Sequence, residues 1–181
     1  MSPILEEILQ ALKQRGQARY GEEVTVLQHS LQSAWFAEQD SAPPELVVAA
    51  LLHDYGHLLH ESGEDAADQG VDTRHEELGA NFLSQHFPNA VTGPIRFHVA
   101  AKRYLCATET EYLQQLSVAS LQSLMLQGGP FTGVEAKRFR MNPYFESSLR
   151  LRHYDEQAKD PELSVPDLEH YLPLMEQCLV G

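Results

Sequence analysis

Hydrophobic residues recur at helical spacing along almost the whole chain, and no segment alternates polar and apolar residues for long. This pattern predicts an all-α protein. Pro3 can occupy the first turn of a helix that runs to about Gln14. Pro44 opens a helix whose run from Leu46 to Leu52 is apolar on every side, which is typical of a central, buried helix.

Residue types that begin or end helices predict the remaining elements. The stretch Thr73-Arg-His-Glu76 resembles a capping box, after an acidic surface loop from Glu61 to Asp72. Two glycines and Pro130 end a later helix. The further predicted helices cover residues 24–39, 73 to about 86, 92 through at least 105, 117–127 and 144–154, and a loop with a short packed helix follows residue 160.

Composition favours one folded domain and excludes several classes of partner. The 181 residues are 43% hydrophobic, and 13 basic against 26 acidic residues give a net charge of −13. Such an acidic field argues against binding nucleic acid or an anionic membrane, although two or three basic side chains in a pocket can still bind an anion. No internal repeat or linker divides the chain. We therefore expect a single domain over 1–181, with a core of about 20–155 and a packed tail over 156–181.

The N-terminus and the two cysteines predict where in the cell the protein is found. The N-terminus lacks the basic start and apolar run of a signal peptide, and no stretch approaches the roughly 20 apolar residues needed to span a bilayer. We expect a cytoplasmic protein in which Cys106 and Cys178 are reduced thiols rather than a disulfide.

The histidines and two aspartates form an ordered set that predicts a metal site. Taken singly, a histidine on a helix is more often a core or surface residue than a ligand. The set gains force because its members fall on different predicted helices, and their imidazole and carboxylate groups suit iron, manganese or zinc. Asp54 is the natural bridge between two cations. The candidate ligands are His29, His53, Asp54, His75, His98 and Asp155.

The motif His53-Asp-Tyr-Gly-His57 resembles the signature of the HD-domain superfamily, which implies a helical bundle with a dinuclear metal site at its centre. From about residue 20 to 171 the chain is similar to mixed-valent di-iron oxygenases that break carbon–phosphorus bonds (the PhnZ/TmpB type), and more distantly to myo-inositol oxygenase. The octapeptide His98-Val-Ala-Ala-Lys-Arg-Tyr-Leu105 is the most specific part, because a generic HD hydrolase has no reason to carry it. Other matching segments are residues 21–22, 27–32, 127–130 and 152–155.

The resemblance implies a role for each residue of the site. It implies that the six candidate residues bind an Fe(II)/Fe(III) pair, with Asp54 as the bridge between the two ions. It implies that Lys102, one helical turn after His98, reaches a phosphonate with help from Arg152. The further implied substrate contacts are His57, Ser120, Ser123 and Glu22, the last binding a cationic nitrogen. Without the family, the two serines fit equally well as ordinary helix-surface residues, and Glu22 fits equally well as an exposed residue at a helix start. Lys102 also has an alternative, less favoured, as a solvated helix residue.

A tyrosine in this region can ligate iron in the resting enzyme of the family, which points to Tyr20 as a ligand or gate. Here Tyr20 directly precedes Gly21, whereas the family places one residue between them. Aromatic residues near the site favour a trimethylated amine, which is held by aromatic faces, over a primary one. These residues are Tyr20, Tyr55, Phe97 and Tyr104, and their alternative role is core packing.

The resemblance implies that the substrate is 1-hydroxy-2-(trimethylammonio)ethylphosphonate or 1-hydroxy-2-aminoethylphosphonate. Dioxygen cleaves the carbon–phosphorus bond and gives phosphate with glycine betaine or glycine. The alternative is an HD-type phosphohydrolase that uses the same ligands on a nucleotide or phosphate ester. The surroundings formed by Lys102, Arg152 and Glu22 favour the oxygenase. A metal-free binding module is a weaker reading, because all six ligand positions are filled.

Overall fold

The computed structural model describes residues 2–19, 22–59 and 72–180, and within these it contains helices and no strand, which confirms the all-α prediction. The helices are α1 (Pro3–Arg15), α2 (Val26–Gln39), α3 (Pro44–Leu52), α4 (Tyr55–Leu58), α5 (His75–Leu83), α6 (Asn89–Thr108), α7 (Thr110–Gln115), α8 (Val118–Leu126), α9 (Gly133–Phe139), α10 (Phe145–Gln157) and α11 (Leu168–Cys178).

Helix α3 lies at the centre of the bundle and packs against α2, α6, α10 and α11. Every residue from Leu46 to Leu52 is buried, as its all-round apolar pattern predicts. A second apolar cluster, which includes Tyr104 and Phe139, surrounds the second half of α6. Because α3 ends at Leu52, the His53-Asp54 pair that follows is delivered into the interior of the protein.

Two glycines allow α4 and α5 to approach closely beside this pair. A Cβ atom added to Gly56 would lie 1.9 Å from the carbonyl oxygen of His75, and one added to Gly79 would lie 3.0 Å from the backbone nitrogen of Gly56. Only glycine fits at such a crossing. The contact therefore fixes the start of α5, and with it His75, against the segment that carries Asp54.

The start of α5 differs from the prediction. The capping box of Thr73 and Glu76 is wrong: Arg74 occupies the cap position in a left-handed conformation (φ 49°) and makes no side-chain capping bond, so that His75 is the first helical residue. The first residue of the helix, His75, is also the residue whose carbonyl oxygen lies against Gly56. The helix ends at Leu83 rather than His86, and the predicted loop lies outside the described residues up to position 71.

Other boundaries also shift. Helix α6 begins at Asn89 and runs through Pro94, which removes one backbone hydrogen bond near the start of the helix without ending it. Helix α9 was not predicted, although Thr132 and Glu135 form a capping box at its start. Helix α8 begins after Ser117 and ends before the glycine pair, as predicted.

Two further expectations concerned the redox state of the cysteines and the presence of a membrane-spanning segment. Cys106 and Cys178 are buried free thiols, as expected. None of the helices in the described ranges is both long and apolar enough to cross a membrane.

Candidate metal centre

Four helices and one helix end bring the candidate ligands together. His29 comes from α2, His53 and Asp54 from the end of α3, and His75 and His98 from α5 and α6. Asp155 approaches from α10. Although His29 and Asp155 stand 126 positions apart in sequence, the side chains of the six residues meet in one largely buried cluster.

The carboxylate of Asp54 lies between two pairs of imidazoles. Its Oδ2 atom is 3.6 Å from Nε2 of His29 and 3.5 Å from Nε2 of His53. Its Oδ1 atom is 3.3 Å from Nε2 of His75 and 3.7 Å from Nε2 of His98. Each oxygen therefore faces a separate pair of nitrogen donors, so that the two groups His29–His53–Asp54 and Asp54–His75–His98 share only Asp54.

Backbone carbonyls orient three of the imidazoles. The Nδ1 atoms of His29, His53 and His98 lie 2.7, 2.8 and 2.7 Å from the carbonyl oxygens of Ala158, Ala50 and Ile95, respectively. A ring that donates its Nδ1 proton to a carbonyl leaves a lone pair on Nε2, which is the form that binds metals.

The spacing of the nitrogens fits metal coordination. Nε2 of His29 lies 3.1 Å from Nε2 of His53, and Nε2 of His75 lies 3.1 Å from Nε2 of His98. Two ligands at about 2.1 Å from one ion and at right angles are roughly 3 Å apart. Facing lone pairs repel unless a cation lies between them. The donor set therefore fits two cations, one for each oxygen of Asp54.

Asp155 completes the pair formed by His29 and His53. Its Oδ1 atom is 3.3 Å from Nε2 of His29 and its Oδ2 atom is 3.8 Å from Nε2 of His53. Arg152, one turn earlier on α10, donates Nη1–H to Asp155, and its Nε–H donates to the hydroxyl of Tyr112 at 2.7 Å. Arg152 thus orients a candidate ligand as well as adding positive charge.

The pKa values reflect the buried mixture of charges. Burial alone would raise the pKa of the Asp54 carboxyl, but His53 and His75 hold it well below its usual range. Burial would likewise lower the pKa of His29, which Asp155 and Asp54 instead raise to about 8. The pKa of His98 falls well below its usual value through burial and neighbouring His75. Asp54 is therefore an anion and His98 is neutral at neutral pH, as metal ligands are, whereas His29 would have to release a proton when it binds a metal.

Lys102 is a buried cation next to the centre. Its side chain is 3% exposed, and Nζ donates to Oγ of Ser123 at 2.9 Å. No carboxylate of the described residues forms an ion pair with it. Burial and the charge of Arg152 lower the pKa of Lys102 to about 7. A buried ammonium with one hydroxyl partner is suited to bind an anion.

Glu22, Ser120 and an unpredicted residue, Lys159, form a polar cluster beside Lys102. Oε1 of Glu22 accepts a hydrogen bond from the Ser117 hydroxyl at 2.6 Å and lies 3.5 Å from Nζ of Lys159. Lys159 also donates to Oγ of Ser120 at 2.9 Å. Ser123 joins the two lysines, because its hydroxyl accepts from Lys102 and donates to the carbonyl oxygen of Ser120 at 3.0 Å.

The remaining predicted residues have other surroundings. His57 stacks on His75 with ring centroids 4.0 Å apart, and burial together with His75 lowers the pKa of His57 to about 3. A neutral His57 ring thus supports the orientation of a candidate ligand. Tyr20 lies outside the described residues.

The three other aromatic candidates pack in the protein interior. Tyr55 stacks on Phe82, Phe97 on Tyr144, and Tyr104 against Phe145. These contacts match the core-packing alternative.

Sequence reasoning missed Lys159, Ser117 and Glu156, which belong to the polar cluster next to Glu22 and Arg152. Glu156 accepts from Lys159 at 2.7 Å and from Nη2–H of Arg152. Their positions next to Asp155 and at the start of α8 were the available signal.

Comparison with known proteins agrees with this geometry. The HD domain family matches residues 26–114. The chain is 45% identical over 175 residues to "[1-hydroxy-2-(trimethylamino)ethyl]phosphonate dioxygenase (glycine-betaine-forming)" of Leisingera caerulea, covering 96% of this chain and 89% of that protein. It is 43% identical over 173 residues to "Hydroxymethylphosphonate dioxygenase" of Gimesia maris, covering 95% of this chain and 86% of that protein.

Proposed function

The chain belongs to the family of HD-domain phosphonate dioxygenases, and we propose that it uses dioxygen and two iron ions to cleave the carbon–phosphorus bond of a 1-hydroxyphosphonate. The substrates are 1-hydroxy-2-(trimethylammonio)ethylphosphonate or its primary-amine analogue, which give glycine betaine or glycine with phosphate. The position of Asp54, with each carboxylate oxygen facing its own pair of imidazoles, supports the two-metal part of the proposal. The observation that carries the reaction is the identity of 45% and 43% to two phosphonate dioxygenases over nearly the whole chain.

The proposed reaction balances with one molecule of dioxygen. The carbon that carries the hydroxyl and the phosphonate becomes a carboxylic acid, which gains one oxygen atom. The phosphonate becomes phosphate, which gains the other. No further oxidant or reductant is required, so that the chain needs no binding site for a nicotinamide or flavin.

We assign the two iron positions to the two donor groups. His29, His53 and Asp155 would hold one ion, His75 and His98 would hold the other, and Asp54 would be the ligand that both share. When bound, such an iron pair supplies dioxygen activation and Lewis-acid binding of the substrate hydroxyl. The carbonyls of Ala158, Ala50 and Ile95 keep the Nε2 atoms directed at the ions.

The phosphonate binds at Lys102. The ammonium is buried beside His98, and among the described residues its direct partner is a serine hydroxyl, so that an incoming oxyanion supplies the missing negative charge. Ser123 and Ser120 lie in hydrogen-bond contact with this region, and we assign them to the same subsite. Arg152 acts there through its charge and through Asp155, which it orients.

The opposite end of the substrate binds at Glu22. A carboxylate that is partly buried attracts a cationic nitrogen. Glu22 lies on the other side of Ser120 and Lys159 from Lys102, which separates the two charged ends of the substrate. Tyr20, two residues earlier, is assigned as the resting-state ligand or gate.

We also propose that residues 1–181 form one HD domain with a packed tail. Helix α11 packs on α3, and Tyr171 is fully buried in the same apolar core as Leu51. The tail thus contributes to the core rather than forming a separate unit.

Phosphate release with and without oxygen tests this function against the phosphohydrolase alternative. The iron-loaded protein is given a 1-hydroxyphosphonate or a phosphate monoester, in air and under anoxic conditions. We expect phosphate only from the hydroxyphosphonate and only in air. Phosphate from the monoester at the same rate in both atmospheres would establish the hydrolase instead.

A further inference from the structure

Glu22 already has a cationic partner within the protein. Its Oε1 atom lies 3.5 Å from Nζ of Lys159 and accepts the Ser117 hydroxyl proton at 2.6 Å. The side chains of Lys159 and Glu22 are 17% and 23% exposed, so that solvent screens the pair only in part. The carboxylate assigned to the substrate nitrogen therefore lies beside a cation of the protein before any substrate arrives.

The backbone connects Lys159 to the metal centre. Lys159 directly follows Ala158, whose carbonyl oxygen accepts the Nδ1–H of His29 at 2.7 Å. This link holds the start of the lysine side chain close to the centre while its ammonium extends to the polar cluster.

Lys159 has partners that remain when Glu22 is withdrawn. Its ammonium donates to Oε1 of Glu156 at 2.7 Å and to Oγ of Ser120 at 2.9 Å. Both distances are shorter than the 3.5 Å to Glu22, so that Glu22 is its looser partner. A second cation can therefore take Glu22 while Lys159 keeps its two nearer contacts.

Resting on the proposed function, we propose that Lys159 is a specificity-determining residue that competes with the substrate's cationic nitrogen for Glu22. A substrate with an ammonium group must displace Lys159 from Glu22. A hydroxyphosphonate without nitrogen leaves the contact between Lys159 and Glu22 in place. Lys159 thus reduces the preference for substrates with a cationic nitrogen and allows the site to accept hydroxyphosphonates that lack one.

The test compares two substrates in a double-mutant cycle. We would measure kcat/KM for (R)-1-hydroxy-2-(trimethylammonio)ethylphosphonate and for hydroxymethylphosphonate, and take their ratio. The variants are Lys159→Met, Lys159→Arg, Glu22→Gln and the Glu22→Gln/Lys159→Met pair, and Lys137→Met on the exposed surface of α9 is the control.

The competition model predicts opposite shifts in this ratio. Lys159→Met should raise the ratio by about tenfold, since a partly screened cation is removed from Glu22. Lys159→Arg and Lys137→Met should leave it near the wild-type value. Glu22→Gln should lower the ratio, and Lys159→Met should have no further effect in that background.

An unchanged ratio in Lys159→Met, with equal losses for both substrates, would overturn the proposal, because Lys159 would then act on the shared phosphonate group. Absence of oxygen-dependent phosphate release by the wild type from either substrate would overturn the proposed function. In that case the affinities of the same two compounds are measured by calorimetry without oxygen. The ratio of these affinities in Lys159→Met and in the wild type then decides the role of Lys159.

Discussion

Oδ1 of Asp54 lies 3.3 Å from Nε2 of His75, while its other oxygen faces His29 and His53 on the opposite side. One carboxylate thus serves both groups of nitrogen donors. Because the four rings already have their Nε2 atoms 3.1 Å apart in pairs, the described residues offer two groups of ligand atoms that could each hold a cation.

Removing the shared carboxylate should weaken both sites. We expect Asp54→Ala to bind fewer than one iron per chain after anaerobic loading, because each pair of imidazoles loses its anionic partner. Glu111→Gln, at an exposed position on α7, is the charge-matched control and should keep the wild-type iron content. Elemental analysis measures both, and two irons retained in Asp54→Ala would rule out the bridging role.

Loss of the Lys102 ammonium should weaken substrate binding. Truncating one member of a buried charge pair costs about 2 kcal/mol or more, so that Lys102→Met should raise KM by about 30-fold or more. Lys137→Met, on the exposed surface of α9, should change nothing. Steady-state kinetics at saturating oxygen measure both variants, and an unchanged KM in Lys102→Met would place the phosphonate elsewhere.

The lowered pKa of Lys102 predicts how binding depends on pH. Burial and Arg152 bring this pKa to about 7, so that the free protein loses the ammonium as pH rises above that value. KM should therefore rise with pH from about 7 upward. The phosphonate itself becomes more negative over this range, which would strengthen binding if Lys102 did not titrate. KM that falls steadily with pH in the wild type would contradict the assignment, and Lys102→Met should lack the alkaline rise.

The sequence allowed prediction of those features that depend on local pattern. The apolar run of α3 and the histidines on separate helices predicted the buried centre, because helical periodicity and ligand chemistry depend only on residue type and local spacing. The Glu22 contact with Ser117 joins residues 95 positions apart and depends on how the helices pack, so that no local signal revealed it. The prediction of a capping box at Thr73 was wrong, because α5 begins at His75 with Arg74 as its cap residue. His75 lies against Gly56, a contact between helices that no local pattern reveals.

The crossing at Gly56 should be sensitive to a single methyl group. A Cβ at this position would overlap the carbonyl oxygen of His75, which is backbone and cannot rotate away. Gly56→Ala should lower the free energy of unfolding by about 1–3 kcal/mol and reduce iron content through displacement of His75. Gly133→Ala, where a Cβ meets nothing within 4 Å, is the matched control. Urea unfolding that gives equal stabilities for the two variants would refute the close-packing argument.

We propose that two irons bridged by Asp54 carry out the oxygen-dependent cleavage of the carbon–phosphorus bond. Iron is titrated anaerobically into metal-free protein, and the rate of phosphate release from a 1-hydroxyphosphonate in air is plotted against iron bound per chain. We expect a rate that reaches its plateau at two irons per chain, with one dioxygen consumed for each phosphate released. A plateau at one iron, or equal activity with zinc alone, would contradict it.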